Sequence, residues 1–174
     1  HVARDIYSVM GGAVSAEMLE WYRREFGAEA RARAAVRGCV DWETLMEEAA
    51  ESPIGSRGVM FLPHMSGSGC PVVDSRSRGG FAGLSTTATR GDMLRSVIEG
   101  LDFQLLDIIQ EMKKNVGFEM RKLVVAGGAV RNDFWLQNKA DIIGQPIEVP
   151  DVDDASPLGA AMLAGIGVGI YRDE

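Results

Sequence analysis

The chain has few residues of the types that build disulfide frameworks and zinc sites. Its two cysteines, Cys39 and Cys70, lie far apart and form no CxxC pair, so we expect a reducing cytosol rather than a secreted, disulfide-linked protein. Its two histidines, His1 and His64, are too few for the usual zinc ligand sets. At 174 residues the chain has the length of one ordinary domain, which buries a sufficient core without cross-links.

Long apolar runs and an excess of basic residues are also missing. No apolar run approaches the ~20 residues that cross a bilayer, and the first residues lack the basic-then-apolar order of a signal peptide. Lys+Arg number 18 against 25 Asp+Glu, and the arginines between residues 23 and 37 are interleaved with acidic residues and alanines. Because nucleic-acid domains usually carry a basic face, we expect neither a membrane nor a nucleic acid as a partner.

Glycine, by contrast, is abundant. There are 21 glycines among 174 residues, whereas an average protein has about 7%. They are not clustered as in a low-complexity segment but fall at the ends of apolar segments. We interpret them as turn positions and positions of close backbone approach in a compact fold.

Helices are predicted before strands in the first half of the chain. Apolar spacing predicts a helix over 15–26, and a stretch over 28–40 rich in Ala and Arg is either helical or mobile. Asp41 is the predicted N-cap of a short acidic helix. Apolar runs predict a short buried strand within 58–65 and another within 81–84, joined by a long loop.

The second half of the chain alternates helix and strand. Apolar residues at every third or fourth position predict a long helix over 91–116, capped by Thr89 or Asp92. The elements predicted after it are a buried strand over 122–126, a helix over 133–143, a strand over 146–149 and a last helix with Ser156 as N-cap and Pro157 in its first position. This order predicts an α/β domain with a mixed sheet flanked by helices.

Most residue types that carry chemistry show no catalytic pattern. Asp102 and Asp107 fall on or near the polar face of the long helix, and no carboxylate pair has a spacing typical of catalysis. His64 is interpreted as a loop histidine. Cys70 has no neighbouring residue that would activate its thiol.

The most informative segment is 123–132, with the sequence LVVAGGAVRN. A predicted strand ends in Gly127 and Gly128, and a helix follows within a few residues. Glycines at a strand's carboxyl end let a ligand approach the backbone, and free N–H groups of the next helix suit an anion. The segment is therefore either a phosphate or nucleotide site or a tight structural turn, and it matches neither GxGxxG nor the P-loop. Asn132 is either an N-cap or an amide presented to a ligand.

The order of the segments resembles the FGGY family of carbohydrate kinases, over about residues 5–172. The segments that carry the resemblance are 58–67 (GVMFLPHMSG), Cys70-Pro71, Asp74, Arg78-Gly79, 81–85 (FAGLS), Thr89-Arg90, 95–100 (RSVIEG), 127–132 (GGAVRN), Trp135, Gln137, Ala140-Asp141, 144–146 (GQP) and 158–161 (LGAA).

The resemblance implies a ribonuclease H-like, actin-like ATPase domain. Family members have two such domains with ATP between them, and they transfer the γ-phosphoryl group to a sugar or polyol hydroxyl, such as that of a xylulose-like ketose, with Mg²⁺ present. Residues 1–174 then correspond to the C-terminal domain, and the N-terminal sugar-binding domain of the same kinase is the implied partner. The alternative is an actin-like binding or regulatory module without sugar chemistry. The oligomeric state is left open, a homodimer included.

The resemblance also implies a nucleotide site. The residues that it assigns to the α-phosphate, ribose and adenine region are Gly127, Gly128, Ala129 and Asn132. It adds Ala16 and Glu20, in the helix before Trp21, where some relatives have a Gly and a Gln. It assigns no catalytic residue and no metal ligand to this chain, because the family's aspartate base belongs to sequence that precedes it.

Overall fold

The computed structural model describes residues 10–12, 16–152 and 155–172. Its elements within these ranges are α1 (Ala16–Phe26), α2 (Ala28–Arg37), α3 (Asp41–Glu51), β1 (Met60–Leu62), β2 (Gly80–Ala82), α4 (Arg90–Val116), β3 (Leu123–Val124), α5 (Asp133–Ile143), β4 (Ile147–Glu148) and α6 (Ala155–Gly167), with 3-10 turns at Ser56–Gly58 and Gly128–Arg131. The predicted order of helices and strands is therefore confirmed.

The long helix α4 is the centre of the fold, because α1, α3, α5 and β1 all pack against it. Most of the apolar residues that recur with helical spacing are buried, as predicted, and Leu105 and Met112 are half-buried. Full burial of one large apolar side chain contributes roughly 1.5–3 kcal/mol, so this shared core holds the helices together. The largest fully buried apolar side chains of the described core are Met18, Tyr22, Leu45, Leu94, Val97 and Ile98.

Thr89 and Asp92 cap α4 together. Thr89 is the N-cap, and its Oγ1 accepts a hydrogen bond from the backbone N–H of Asp92 (3.1 Å). Asp92 Oδ2 accepts in return from the backbone N–H of Thr89 (2.8 Å). Asp92 is fully buried, and its Oδ1 accepts from Ser52 Oγ and from the Arg57 guanidinium. This reciprocal capping box satisfies N–H groups that the start of a helix leaves free.

Asp41 does not have the predicted capping role. The stretch 28–40 is helical over Ala28–Arg37, and α3 begins at Asp41 with Val40 as its N-cap and no capping side chain. The carboxylate of Asp41 instead accepts from Arg23 Nη1 of α1 (2.9 Å). The prediction was wrong because an ion pair between two helices takes the carboxylate.

The described strands form two separate two-stranded sheets. β1 and β2 are antiparallel, and β3 and β4 are parallel. Both directions of the predicted mixed sheet are therefore present, although in the described residues they do not share one sheet. The prediction of a buried strand over 122–126 was wrong, since Val124 is 51% exposed. Parallel strands are buried only where both faces are covered, and this pair is not.

The last helix, α6, begins at Ala155, so Ser156 lies in its first turn and is not the N-cap. The predicted cap was wrong because the helix starts two residues before Pro157, the predicted first position. None of the helices in the described ranges combines the length and the apolar character that crossing a bilayer requires.

Candidate functional site

The segment that the sequence singled out forms a strand, a glycine turn and a helix. β3 ends at Val124, the 3-10 turn Gly128–Arg131 follows, and α5 begins at Asp133. The backbone N–H of Val130 donates to the carbonyl oxygen of Gly127 (3.1 Å), which closes the turn. The turn therefore lies at the carboxyl end of β3, where parallel sheets offer room for a ligand.

The two glycines of this turn differ in what the backbone requires. Gly127 has a φ of +92°, which L side chains rarely adopt, so the turn itself calls for a glycine. Gly128 is exposed and has no such φ, and a Cβ built on it would meet no atom within 4 Å. The fold explains Gly127 as a structural turn residue. It gives no steric reason for Gly128, whose backbone is left open to an approaching group.

Asn132 is the N-cap of α5. Its Oδ1 accepts a hydrogen bond from the backbone N–H of Trp135 (2.9 Å), so the N-cap interpretation is confirmed. The cap uses only the oxygen, and Asn132 Nδ2 donates to no other residue in the described part of the chain. Capping is therefore compatible with a second role, in which the same amide donates to a ligand. Ala129 lies within the 3-10 turn between Gly128 and α5.

Ala16 and Glu20 lie on a different element. Ala16 is the first residue of α1, Glu20 follows one turn later, and both are exposed. The Glu20 carboxylate accepts from Arg23 Nε (2.9 Å) on its own helix. Neither residue shares a hydrogen bond or an ion pair with 127–132 in the described ranges. Their assignment to the nucleotide stays a prediction.

A buried carboxylate that the sequence misplaced anchors α5. Asp102 was expected on or near the polar face of α4, but it is fully buried, so that prediction was wrong. Its Oδ1 accepts from Trp135 Nε1 (3.2 Å) and forms an ion pair with Lys139 Nζ. Its Oδ2 accepts from Asn138 Nδ2 (2.7 Å). α5 covers this part of the polar face and supplies three donors to one carboxylate.

A signal for this arrangement was present in the sequence. Trp135, Asn138 and Lys139 recur at the spacing of one helical face, and each carries an N–H donor. Three donors on the inner face of a predicted helix indicate a buried acceptor opposite them. Burial raises the pKa of Asp102, while the charge of Lys139 and the hydrogen bonds oppose that rise.

A second buried ion pair, between Arg95 Nε and Glu99 Oε1 (2.8 Å), lies nearer the start of α4. Glu99 also accepts from Ser56 Oγ (2.8 Å) and from the backbone N–H of Gly55 (3.0 Å). These bonds attach the turn before β1 to α4. The segment 95–100, which contributed to the family resemblance, therefore has a structural role.

The loop after β1 contains His64 and Cys70. His64 Nδ1 shares a hydrogen bond with Ser77 Oγ (2.7 Å), which agrees with a loop histidine. A cavity of about 430 Å³ lies between this loop and α4, and much of its lining is apolar, with Phe61 and Phe103 among its walls.

No group of three or more His, Cys, Asp or Glu side chains in the described ranges is placed to hold a metal ion. An all-protein Mg²⁺ site therefore does not fit these residues. Mg²⁺ in phosphate-transfer sites is commonly held by substrate phosphates with one or two carboxylates.

The fold is that of a domain from a carbohydrate kinase. The family described as "FGGY family of carbohydrate kinases, C-terminal domain" matches residues 1–168. The chain belongs to this family, and the resemblance read from its motifs is confirmed.

Curated relatives include a glycerol kinase from Alkaliphilus metalliredigens, which is 34% identical over 161 residues, 92% of this chain and 30% of the relative. A xylulose kinase from Staphylococcus epidermidis is 33% identical over 173 residues, 99% of this chain and 33% of the relative. The chain thus spans about a third of the length of the curated relatives that it matches.

Solved structures confirm the predicted ribonuclease H-like, actin-like ATPase class of fold. The ligand-bound xylulose kinase from Lactobacillus acidophilus matches with a TM-score of 0.74 and 29% identity, over 90% of this chain and 30% of that one. Plasmodium falciparum glycerol kinase with ADP matches with a TM-score of 0.71 and 26% identity, over 91% of this chain and 29% of that one.

Proposed function

We propose that residues 1–174 are the C-terminal, nucleotide-binding domain of an ATP-dependent kinase that phosphorylates a hydroxyl of a sugar or polyol. The observation that carries the proposal is the turn at Gly127 and Gly128, in which the fold requires the first glycine but not the second. At Gly128, which lies between the carboxyl end of β3 and the start of α5, a glycine that the fold does not require is explained by a ligand that approaches the backbone.

In this proposal the turn binds the α-phosphate and the adenosine part of ATP. The backbone of Gly128 and Ala129 faces the phosphate, and the positive end of the α5 dipole favours its negative charge. Asn132 donates from its Nδ2 to the ribose or the adenine, since its Oδ1 is held by the helix cap. We include Ala16 and Glu20 as further nucleotide contacts.

The acceptor is a polyol or a ketose, because relatives of this chain include glycerol kinases and xylulose kinases. The γ-phosphoryl group would pass from ATP to the acceptor oxygen, ADP would leave, and the hydroxyl proton would go to a base. The resemblance assigns that base and the sugar pocket to an N-terminal domain, which we propose as the partner of this chain. Mg²⁺ would enter with the ATP phosphates, where it neutralises their charge.

We propose the cytoplasm as the location of the enzyme. Cys39 and Cys70 are both free thiols in the described structure, as a reducing compartment would keep them.

The experiment that tests the nucleotide site is the substitution Gly128→Val in the 174-residue chain. Calorimetric titration with ADP should show binding to the unchanged chain and at least tenfold weaker binding to the variant, because the new side chain fills the approach to the backbone. The melting temperature should not change, since a Cβ at Gly128 meets no protein atom.

Gly80→Val is the matched control. Gly80 is also exposed, lacks a positive φ and has open space around its Cβ position, but it lies in β2. This variant should bind ADP as the unchanged chain does. Equal ADP affinity in Gly128→Val and the unchanged chain would exclude this turn as the nucleotide site.

A further inference from the structure

One carboxylate in α4 collects donors from three side chains of α5. Asp102 accepts from Trp135 and Asn138 and pairs with Lys139, and each of the four side chains belongs to a residue that is at most 9% exposed. The ammonium group of Lys139 also lies 5.2 Å from the centre of the Trp135 ring. The cluster thus fixes α5 through directional contacts.

The same cluster reaches the glycine turn through Trp135. The indole N–H of Trp135 donates to Asp102 (3.2 Å), and its backbone N–H donates to Asn132 Oδ1 (2.9 Å). Two hydrogen bonds therefore separate the buried carboxylate from the proposed nucleotide contact. The turn Gly128–Arg131 packs directly against α5.

Stability alone is a weak explanation for this cluster. Burying an ion pair costs desolvation energy that its attraction often does not exceed, and apolar replacements of similar volume are frequently as stable. Apolar contacts hold two helices together, but they tolerate small rotations and shifts. Hydrogen bonds from three donors to one carboxylate do not tolerate such rotations and shifts, because hydrogen bonds weaken steeply when misaligned.

We propose that Asp102 is a positioning residue of the nucleotide site. Through Trp135, Asn138 and Lys139, Asp102 sets the rotation of α5 about its axis and its position along that axis. The first turn of α5 in turn sets the position of Asn132. Nucleotide affinity then depends on a side chain that does not touch the nucleotide. This inference rests on the proposed function of the glycine turn.

The test compares two kinds of variant of the 174-residue chain by ADP titration. D102L/K139M removes both charges and keeps the volume apolar, so it should stay folded but bind ADP at least fivefold more weakly. D102N keeps the shape but removes the negative charge that pairs with Lys139, so it should weaken ADP binding to a similar extent. The swap D102N/N138D restores one donor and one carboxylate and should return ADP affinity to within about twofold of the unchanged chain.

Hydrogen exchange gives a readout that does not need the nucleotide. The backbone N–H of Trp135 should exchange at least tenfold faster in D102N than in the unchanged chain, because its bond to Asn132 loosens. Val59→Ala is the control, since it shortens a buried side chain outside the apolar core that contains Trp135. It should lower the melting temperature without a selective change at Trp135 or in ADP affinity.

Each outcome decides between the two proposals. If the unchanged chain binds no ADP, the proposed function fails and this inference fails with it. If the unchanged chain binds ADP and both D102N and D102L/K139M bind it equally well, the nucleotide site stands and Asp102 has only a packing role. If D102L/K139M does not fold, D102N and its swap decide the question.

Discussion

The carbonyl oxygen of Phe61 lies closer than 3 Å to the place where a Cβ of residue 100 would stand, a separation that real Cβ atoms essentially never show. Gly100 therefore marks the close contact between β1 and α4. This contact brings the antiparallel sheet onto the central helix, and it explains a glycine in the middle of a helix, where glycine normally costs stability.

Gly100→Ala is expected to destabilise the chain. The new methyl group meets backbone, which cannot move aside as a side chain would, so we expect a loss of about 1–3 kcal/mol in the free energy of unfolding. Urea denaturation measures this value. Gly159→Ala in α6 is the control, because a Cβ there meets nothing within 4 Å and should leave stability unchanged or raise it by up to about 1 kcal/mol. Equal stability of the two variants would contradict the close contact at Gly100.

The two glycines of the turn should respond differently to alanine. Gly127→Ala forces a Cβ into a positive-φ backbone and should cost about 1–2 kcal/mol of stability. Gly128→Ala should change stability by less than about 0.5 kcal/mol. Thermal denaturation of the two variants, side by side, measures the difference. A stability loss of the same size at Gly128 would mean that the fold requires this glycine as well.

Asp92 should make stability depend on pH in the acid range. Burial raises the pKa of Asp92. Hydrogen bonds from Ser52 and Thr89 and the charge of Arg57 outweigh this effect and lower the pKa to about 2. A carboxylate whose pKa is depressed by folding contributes stability above its unfolded pKa of about 3.9, and that contribution is lost as the pH falls toward 2. Asp92→Asn should therefore destabilise the chain at pH 7 by about 1–3 kcal/mol, and less at pH 2.

Denaturation of Asp92→Asn and the unchanged chain at pH 7, 4 and 2 measures this dependence. Ile98→Val is the control, because the loss of one buried methyl group carries no proton linkage and its cost should stay the same across these pH values. If the difference in the free energy of unfolding between Asp92→Asn and the unchanged chain does not become smaller below pH 4, Asp92 is not an ionised, hydrogen-bonded carboxylate.

The 174-residue chain alone should not phosphorylate a sugar. If the base and the acceptor pocket belong to another domain, the chain binds nucleotide but transfers no phosphoryl group. An ADP-coupled assay with glycerol and with xylulose should show no acceptor-dependent ADP production, while calorimetry on the same sample shows ADP binding. Acceptor-dependent turnover by the purified chain would refute the proposal that the base and the acceptor pocket belong to another domain.

Local signals in the sequence predicted much of the fold around the site. The spacing of apolar residues predicted α4 nearly to its ends, and the Thr89–Asp92 cap follows from side-chain chemistry within four residues. The glycine turn and the bounds of α5 were predicted for the same reason, since each depends on neighbours in the chain, and the Asn132 cap was one of the two roles that the sequence left open. The family resemblance added the nucleotide as the expected ligand of the turn.

Other features required partners distant in the sequence. Asp41 looks like a cap until Arg23 of α1 takes its carboxylate, and Asp102 looks solvated until donors 33 to 37 residues away cover it. From the sequence, Gly127 and Gly128 have the same predicted role. The structure distinguishes them, because Gly127 has a positive φ and Gly128 does not.

The sequence by itself determined most of the helical segments, where the glycine turn lies and to which family the motifs point, because these depend on short-range spacing and side-chain type. Only the tertiary structure decided which polar groups are buried and with which residues they form hydrogen bonds and ion pairs. Whether a carboxylate on a helix faces water or three donors depends on how a second helix packs against it, and periodicity within one element does not contain that information.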